Sequence, residues 1–344
     1  MTSSVSSDTP GAFAGHGSFL AATLAAAQPH AAPLRATGDA QLAWLDVGVL
    51  RYLPAQADGA GLLLSAGVHG DETAPIELLD ALAAALVDGS LQPRRALLLL
   101  LGNPAAIVAG RRYVDANMNR LFLPGEAPAG ATGERRRARL LMRHAADFLG
   151  TQAGAAHLDL HTAIRGSRYR RFAISPGDAG QTPWPARLGA WGIEALVYNP
   201  RTRSTFAAWS ALHCGARSFT VELGRARPFG RNYPQDLAPF RAGLRAFLRD
   251  GDGDPGAAGA AAPRAFAVSR EIIKAREDFR LHLDPDCENF TPCAAGTLLA
   301  SEGSRRYHAR DQEHILFPNA AVAAGERALL LLRPDEPGGH RAGS

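Results

Sequence analysis

The chain has 344 residues, of which 46% are hydrophobic and 20% are charged, and it carries a formal net charge of +4. This length buries enough apolar surface for one large domain or two modest ones. No uninterrupted apolar run approaches the roughly 20 residues of a membrane-spanning helix, which argues against a transmembrane protein. Arginine supplies almost all of the positive charge, because Lys274 is the single lysine. Composition alone therefore leaves nucleic acid and small anions open as partners.

The cysteine content and the amino terminus both favour a cytoplasmic protein. Three cysteines, Cys214, Cys287 and Cys293, cannot all pair within one chain, and a chain of this size needs no disulfide to hold its core. No Lys or Arg precedes the apolar stretch at 19–27, so we do not expect a secretory signal.

Between residues 41 and 250 the chain alternates strand-like and helix-like segments. Short apolar runs bounded by turn residues lie at 62–64, 96–101, 157–160, 195–198 and 218–223. A helical pattern covers Ala74–Val87, and other helix-length segments separate the remaining runs. This alternation predicts an α/β domain in which helices flank a sheet.

Two segments of biased composition frame that domain. Residues 1–40 are rich in Ala and Ser and predict an extension that is partly disordered or forms one helix near Phe19. Residues 251–263 are rich in Gly, Ala and Asp and predict a flexible linker. Beyond the linker, residues 264–344 contain short, apolar, turn-bounded runs, which predict a smaller β-rich C-terminal domain.

Several common motifs are absent or unconvincing. The chain has neither a G-x-S-x-G elbow nor a G-x-x-x-x-G-K-[ST] loop, so two large enzyme classes lack their usual signatures. Gly251, Gly253 and Gly256 match a dinucleotide-binding pattern, but no strand precedes them and Pro255 interrupts the turn into a helix. The spacing of Cys287 and Cys293 fits no common zinc motif, and we interpret them as structural.

An arginine cluster raises the question of nucleic acid. Its members lie on one predicted helix whose alanines and leucines face inward: Arg135, Arg136, Arg137, Arg139 and Arg143. A nucleic-acid surface would usually add aromatic side chains for base stacking, and only 7% of the chain is aromatic. We therefore interpret the cluster as a solvated helix face.

The most informative residues follow two predicted strands. His69 and Glu72 come directly after the apolar run at 62–64, and His161 ends the strand that begins at His157. Open α/β sheets place ligand sites at the carboxyl ends of their strands. Two histidines and a carboxylate form the ligand set of a catalytic zinc with an open position for water. A histidine after a strand is more often a hydrogen-bonded loop residue, and the addition of His161 favours the metal interpretation.

Glu222 lies near the end of the predicted buried strand at 218–223. A charged carboxylate in a buried strand destabilises the fold unless it pairs with a positive charge or takes part in the chemistry of a site. It can take a proton from an activated water molecule and deliver it to a leaving nitrogen. Pairing with Arg225 or Arg227 is the alternative, and the segment alone does not decide between them.

Five motifs together resemble the succinylglutamate desuccinylase family, in the aspartoacylase-like branch of the zinc carboxypeptidase fold. They are S-A-G-V-H-G-D-E-T-A-P-I-E-L-L-D at 65–80, L-G-N-P at 101–104, G-R-R-Y-V-D-A-N-M-N-R-L-F at 110–122, H-L-D-L-H-T-A-I-R-G-S at 157–167 and V-E-L-G at 221–224. With L-F-P-N at 316–319, the similarity extends over about residues 19–332. The resemblance implies a zinc-carboxypeptidase-like mixed sheet and one zinc ion per chain. It also implies cleavage of N2-succinyl-L-glutamate to succinate and L-glutamate, the last step of arginine catabolism by the succinyltransferase route.

The resemblance also implies roles for individual residues. It implies that His69, Glu72 and His161 bind zinc. It implies that Glu222 is the general base and that Arg112 polarises the scissile carbonyl. Asn119 and Arg120 would bind a substrate carboxylate, with Arg165 as a further contact. Arginine suits a small anionic substrate, because its planar fork binds a carboxylate bidentately.

One position departs from the family pattern. The family usually has Asp before Met-Asn-Arg, whereas this chain has Asn117. If that Asp accepts a hydrogen bond from an arginine, Asn117 keeps the acceptor without the charge, and Asp115 is the candidate to compensate.

Three other functions remain as alternatives. The nearest is the same chemistry on another N-acyl amino acid or on a short peptide. A non-catalytic anion-binding module would need a lost ligand or base, and none is missing from the motifs. An arginine-rich nucleic-acid binder predicts strongly salt-dependent binding to DNA or RNA.

Overall fold

The computed structural model is a mixed α/β fold built on one large sheet. It describes residues 13, 15–27, 34–35, 39–125, 131, 133–177, 183–250 and 262–335. The helices are α1 (Phe19–Leu24), α2 (Thr73–Val87), α3 (Pro104–Ala109), α4 (Gly133–Leu149), α5 (Trp184–Ala190), α6 (Phe206–Cys214) and α7 (Pro234–Asp250), with a 3-10 helix at Met118–Arg120. The strands are β1 (Leu34–Arg35), β2 (Gln41–Asp46), β3 (Val49–Leu53), β4 (Leu62–Ala66), β5 (Leu97–Leu101), β6 (Ala156–Ala163), β7 (Phe172–Ser175), β8 (Ala195–Tyr198), β9 (Arg217–Arg225), β10 (Arg264–Ile273), β11 (Arg280–Leu281), β12 (Leu298–Glu302), β13 (Arg305–His308), β14 (His314–Leu316) and β15 (Arg327–Pro334).

The large sheet has the strand order β1-β2-β3-β5-β4-β6-β9-β7-β8-β10-β15-β14 within the described residues. Its central strands β5, β4, β6 and β9 run parallel to one another, and β7 reverses direction beside β9. The sheet is therefore mixed, as predicted. The carboxyl ends of β4, β6 and β9 meet at one edge, where such sheets place their ligands.

Helices cover both faces of this sheet. In β5, Leu97, Leu99 and Leu101 pack in the cluster that contains α2 and α7. Leu98 and Leu100 point the other way and pack in the cluster that contains α4 and α6. A strand buried on both faces has a continuous apolar sequence, which explains the unbroken leucine run.

Gly70 allows the turn after β4 to pack closely against α3. An added Cβ at Gly70 would lie 2.1 Å from the backbone carbonyl carbon of Ala106 in α3. The Gly70 N–H also donates to the Arg112 carbonyl oxygen at 3.2 Å. This contact fixes the turn that carries His69 and Glu72 against the loop that carries Arg112.

The C-terminal part of the chain continues the large sheet. Strand β10 pairs in parallel with β8, and β15 and β14 follow it to the edge. Strands β11, β12 and β13 form a separate small sheet. The predicted β-rich character is therefore confirmed for the described C-terminal residues. The domain boundaries stay predictions, and residues 251–261 of the predicted linker lie outside the described part of the chain.

The arginine helix is less solvated than the sequence predicted. Arg137 donates from Nε to the Gly102 carbonyl oxygen at 2.8 Å and from Nη2 to the Leu101 carbonyl oxygen at 2.7 Å. Burial lowers the pKa of Arg137 to about 10. This arginine caps the end of β5, so the prediction of a plain solvated face is wrong at this position. No helix among the described residues is both long enough and apolar enough to span a membrane.

Candidate active site

Three side chains predicted as metal ligands form a buried cluster. The possible ligand atoms of His69, Glu72 and His161 all lie within 4.8 Å of one another. Nδ1 of His69 lies 2.9 Å from Oε1 of Glu72, and Nδ1 of His161 lies 2.8 Å from Oε2. The turn after β4 supplies His69, the start of α2 supplies Glu72, and β6 supplies His161.

A second partner orients each histidine from behind. His69 donates from Nε2 to Oδ1 of Asn117 at 3.0 Å, and His161 donates from Nε2 to Oδ2 of Asp159 at 3.0 Å. A histidine that donates from Nε2 has its Nδ1 lone pair free for a cation. In the neutral tautomer that donates from Nε2, both Nδ1 atoms face Glu72 with a free lone pair, as a metal ligand requires.

The structure identifies the donors to Asn117. Its Oδ1 accepts from Nε2 of His69 at 3.0 Å and from the backbone N–H of Asn119 at 3.1 Å. Among the described residues, no arginine donates to it. Asp115 is exposed, and its backbone N–H donates to Glu134. Its exposed position gives no support to a compensating role.

Strand alternation places a polar chain behind His161. Residues 157, 159 and 161 of β6 point to one face because side chains alternate along a strand. Ser65 in the neighbouring β4 donates to Asp159 at 2.6 Å and contacts Nε2 of His157 at 2.8 Å. Nδ1 of His157 contacts Ser210 in α6 at 2.7 Å. All four of these groups are fully buried, so the chain holds Asp159 in place.

Charges within the cluster shift its pKa values in opposite directions. Burial lowers the pKa of His69, and Glu72 offsets part of that effect. At His161, burial alone would lower the pKa, but the carboxylates of Asp159 and Glu72 raise it well above its usual value. Burial alone would raise the pKa of Glu72, but the charges of His69 and His161 hold it well below its usual value.

Glu222 lies beside the cluster in the sheet. It is the register partner of His161 across β6 and β9, and its side chain is buried. Its Oε2 is a buried atom with no hydrogen-bond partner in the described structure. Burial, together with the nearby Glu72 charge, raises the pKa of Glu222 to about 7. Neither Arg225 nor Arg227 forms an ion pair with Glu222 in the described residues. The Arg227 guanidinium instead lies 4.2 Å from the centre of the Tyr233 ring.

Arg112 reaches the cluster from a loop that is hydrogen-bonded to the buried carboxylate of Glu134. Nη1 of Arg112 donates to Oε1 of Glu72 at 2.8 Å. Glu134 in α4 accepts the backbone N–H groups of Val114, Asp115 and Ala116 at 2.6–2.9 Å. Burial alone would raise the pKa of Glu134, but these donors hold it below its usual value. The loop is therefore anchored immediately after Arg112.

All eight predicted site residues line a single cavity of about 340 Å³: His69, Glu72, Arg112, Asn119, Arg120, His161, Arg165 and Glu222. Asn119 is buried, and its Oδ1 accepts from the Phe206 backbone N–H at 3.1 Å. Arg120 donates to the Asn119 carbonyl oxygen at 2.9 Å. Arg165 lies at the rim and donates to the Pro285 carbonyl oxygen at 2.6 Å. The structure thus brings the predicted residues together.

The residues that support the site were not predicted from the sequence. Asp159 lies in the quoted H-L-D-L-H stretch, and its spacing of two from His161 on a strand could have placed both on one face. Ser65 and Glu134 carry no such local signal, because their partners lie 94 and 18 to 31 residues away. The described residues show no second group of metal-ligating side chains, and the three cysteines are free.

The cluster fits a divalent cation. On each side of Glu72, a carboxylate oxygen and an imidazole lone pair lie within 2.9 Å, a separation at which a shared proton or a cation must bridge them. Two imidazoles and one carboxylate match the ligand set of a catalytic zinc. Glu222 and Thr162 add to the same cavity one buried oxygen each, Oε2 and Oγ1, for which the described part of the chain offers no hydrogen-bond partner.

Two family profiles match this chain. The succinylglutamate desuccinylase/aspartoacylase catalytic domain matches residues 58–250. The AstE/AspA barrel-sandwich hybrid domain matches residues 261–335.

The curated relatives and solved structures most similar to this chain include several succinylglutamate desuccinylases. Succinylglutamate desuccinylase of Erwinia tasmaniensis is 40% identical over 92% of this chain and 97% of the relative. That of Pseudomonas paraeruginosa is 42% identical over 92% of this chain and 98% of the relative. The crystal structure of the Vibrio parahaemolyticus enzyme has a TM-score of 0.85 and 31% identity, and it covers 93% of this chain and 95% of its own. The Chromobacterium violaceum structure has a TM-score of 0.80 and 33% identity, and the match covers 93% of this chain and 98% of that one.

Proposed function

Because the chain belongs to the succinylglutamate desuccinylase/aspartoacylase family, we propose that it hydrolyses N2-succinyl-L-glutamate to succinate and L-glutamate. One observation carries the proposal. The His69–Glu72–His161 cluster, several arginines and the Glu222 carboxyl share a single cavity. Oε2 of Glu222 has no partner among the described residues. This arrangement suits amide hydrolysis of a small substrate with several carboxylates.

We assign zinc as the cation, held by His69, Glu72 and His161. When bound, zinc supplies positive charge that makes a water molecule more acidic and polarises a carbonyl group. Asn117 and Asp159 keep the two Nδ1 atoms directed at Glu72 through their bonds to Nε2.

Glu222 acts as the general base and then as the general acid. Its carboxylate takes a proton from the attacking water and returns it to the nitrogen of the departing glutamate. Burial raises the pKa of Glu222 above its usual value, which makes the carboxylate a stronger base toward the attacking water. Because no described residue bonds to Oε2, this oxygen is available to a water molecule or substrate.

The cavity arginines bind and polarise the substrate. Arg112 lies against Glu72, where its guanidinium stabilises negative charge that develops on the scissile carbonyl oxygen. Arg120 and the amide nitrogen of Asn119 bind a substrate carboxylate, and Arg165 adds a contact at the rim. Three free cysteines agree with an enzyme of the reducing cytoplasm.

A hydrolysis panel tests the substrate. Protein loaded with zinc is incubated with succinylglutamate, succinylarginine, acetylaspartate and a C-terminal dipeptide, and kcat/KM is measured for each. We expect succinylglutamate to be the best substrate by a wide margin. A clear preference for acetylaspartate or the dipeptide would contradict the proposed substrate and leave the metal chemistry intact. A chelated sample should lose activity and regain it when zinc is added.

A further inference from the structure

An arginine from the C-terminal part of the chain lines the same cavity as the predicted site residues. Arg327 is the first residue of β15, where it pairs with Ile273 of β10. Its neighbours in the cavity lining include Arg120 from the catalytic part and Asn289 from the C-terminal part. Nδ2 of Asn289 is a buried donor with no hydrogen-bond partner in the described structure. The C-terminal part therefore presents two donor groups to the cavity.

The charge of Arg327 is not neutralised by direct contact. Burial, and then the nearby charge of Arg120, lower the pKa of Arg327 to about 10. Burial also lowers the pKa of Arg120. Within the described residues, no hydrogen bond or ion pair joins the Arg327 guanidinium to another side chain, and Glu271 acts on it only through its more distant charge. Arg327 is half-buried, so its guanidinium donors are open to the cavity and can contact a ligand.

The other cavity arginines have protein partners. Arg112 is bonded to Glu72, and Arg165 is bonded to the Pro285 carbonyl oxygen. Arg120 makes a single bond, to the carbonyl oxygen of its neighbour Asn119. The pair of Arg120 and Arg327 therefore combines two like charges and free guanidinium donors at one wall of the cavity. Such a pair is stabilised when an anion binds between its members.

We propose that Arg327, together with Arg120, binds a carboxylate of the substrate that is remote from the scissile amide. The inference rests on the proposed function and deepens it, since the substrate would then be recognised by both parts of the chain. Arg327 acts as a specificity residue for N-acylated dicarboxylic amino acids. A guanidinium fork can accept both oxygens of one carboxylate, which selects its position and its charge.

The test compares Arg327→Gln with the matched control Arg333→Gln. Arg333 lies on the same strand and is exposed, and it does not line the cavity. Each variant is assayed with succinylglutamate and with three analogues that each lack one carboxylate: N-butanoylglutamate, N-succinyl-4-aminobutyrate and N-succinyl-2-aminobutyrate. We expect R327Q to lower kcat/KM for succinylglutamate by about 10- to 100-fold, the usual effect of one lost charge-assisted bond. We expect R333Q to match the unaltered chain.

The analogues separate recognition from structure. If Arg327 binds one carboxylate, the analogue without that group should be hydrolysed almost equally by R327Q and the unaltered chain. The conservative variant Arg327→Lys should recover part of the loss on the full substrate, because it restores charge without the fork. An equal loss on the substrate and all three analogues would overturn the proposal, as would no loss at all.

A binding measurement keeps the test independent of turnover. In the Glu222→Gln background, calorimetry should give a succinylglutamate dissociation constant that R327Q raises and R333Q leaves unchanged. If the unaltered chain neither binds nor hydrolyses succinylglutamate, the proposed function is wrong. The binding of glutarate and of succinate is then measured by calorimetry in its place. Weaker dicarboxylate binding in R327Q would still support carboxylate binding by Arg327. Equal binding of these dicarboxylates in R327Q and the unaltered chain would overturn it.

Discussion

Glu222 combines two properties that rarely occur together in a structural carboxylate. It is buried within the sheet, and its Oε2 has no partner in the described structure. An unpaired buried carboxyl costs stability, so a sequence tolerates it where the group is used. We expect Glu222→Gln to lower kcat by about 10²- to 10⁴-fold, the usual contribution of a positioned base. Zinc content, measured by atomic absorption, should stay at the level of the unaltered chain. Near-normal turnover in this variant would remove Glu222 from the mechanism.

The raised pKa of Glu222 predicts how the free energy of unfolding depends on pH. Its pKa rises from 4.5 to about 7 in the folded chain, chiefly through burial. A carboxyl group whose pKa is higher in the folded state destabilises that state progressively as the pH rises between the two values. In chelated protein, Glu222→Gln should match the unaltered chain below pH 4.5 and be more stable above pH 7, by up to about 3 kcal/mol. Urea titrations across this range measure the difference, and a gap that shrinks as the pH rises would contradict the assignment.

At the scale of elements, β6 carries His161 and the polar residues behind it. Its alternation directs His157, Asp159 and His161 to one face, and β4 supplies Ser65 beside Asp159. The sequence predicted His161, because a polar residue at the end of an apolar strand is a local signal. The role of Asp159 was not predicted, although its spacing of two from His161 is a local signal. The contact of Ser65 with Asp159 depends on which strand lies beside β6, and a pairing between distant segments leaves no local pattern.

This arrangement predicts that Asp159 tunes metal affinity. Its carboxylate accepts from Nε2 of His161 and so makes Nδ1 a better ligand. We expect Asp159→Asn to raise the zinc dissociation constant by about 10- to 100-fold, as measured by competition with a chromogenic chelator. Asn117→Asp is the reciprocal control, because it adds a charge behind His69 and should tighten binding. Unchanged affinity in D159N, with an unchanged unfolding midpoint, would contradict this role.

At the scale of the whole molecule, the C-terminal part is fused to the catalytic sheet. Phe266 of β10 packs with Phe172 and Val197 of the preceding strands and with Phe290, in one buried cluster. The sequence predicted a β-rich C-terminal segment from its short apolar runs. It did not predict that β10 would pair with β8, because the pairing joins segments about 70 residues apart. The contribution of Arg327 to the cavity depends on that pairing and was missed for the same reason.

Continuity of the sheet predicts that the chain unfolds as one unit. All four tryptophans, Trp44, Trp184, Trp191 and Trp209, lie in the catalytic part, so their fluorescence reports on that part alone. Phe279 is buried in a cluster formed wholly by C-terminal residues. Phe279→Ala should lower stability by about 3–5 kcal/mol and shift the tryptophan transition in urea to lower concentration. Phe229→Ala, at an exposed position, is the matched control and should leave the transition in place. If F279A leaves the tryptophan transition unchanged while circular dichroism detects an earlier one, the two parts unfold separately, and the shared sheet does not couple them.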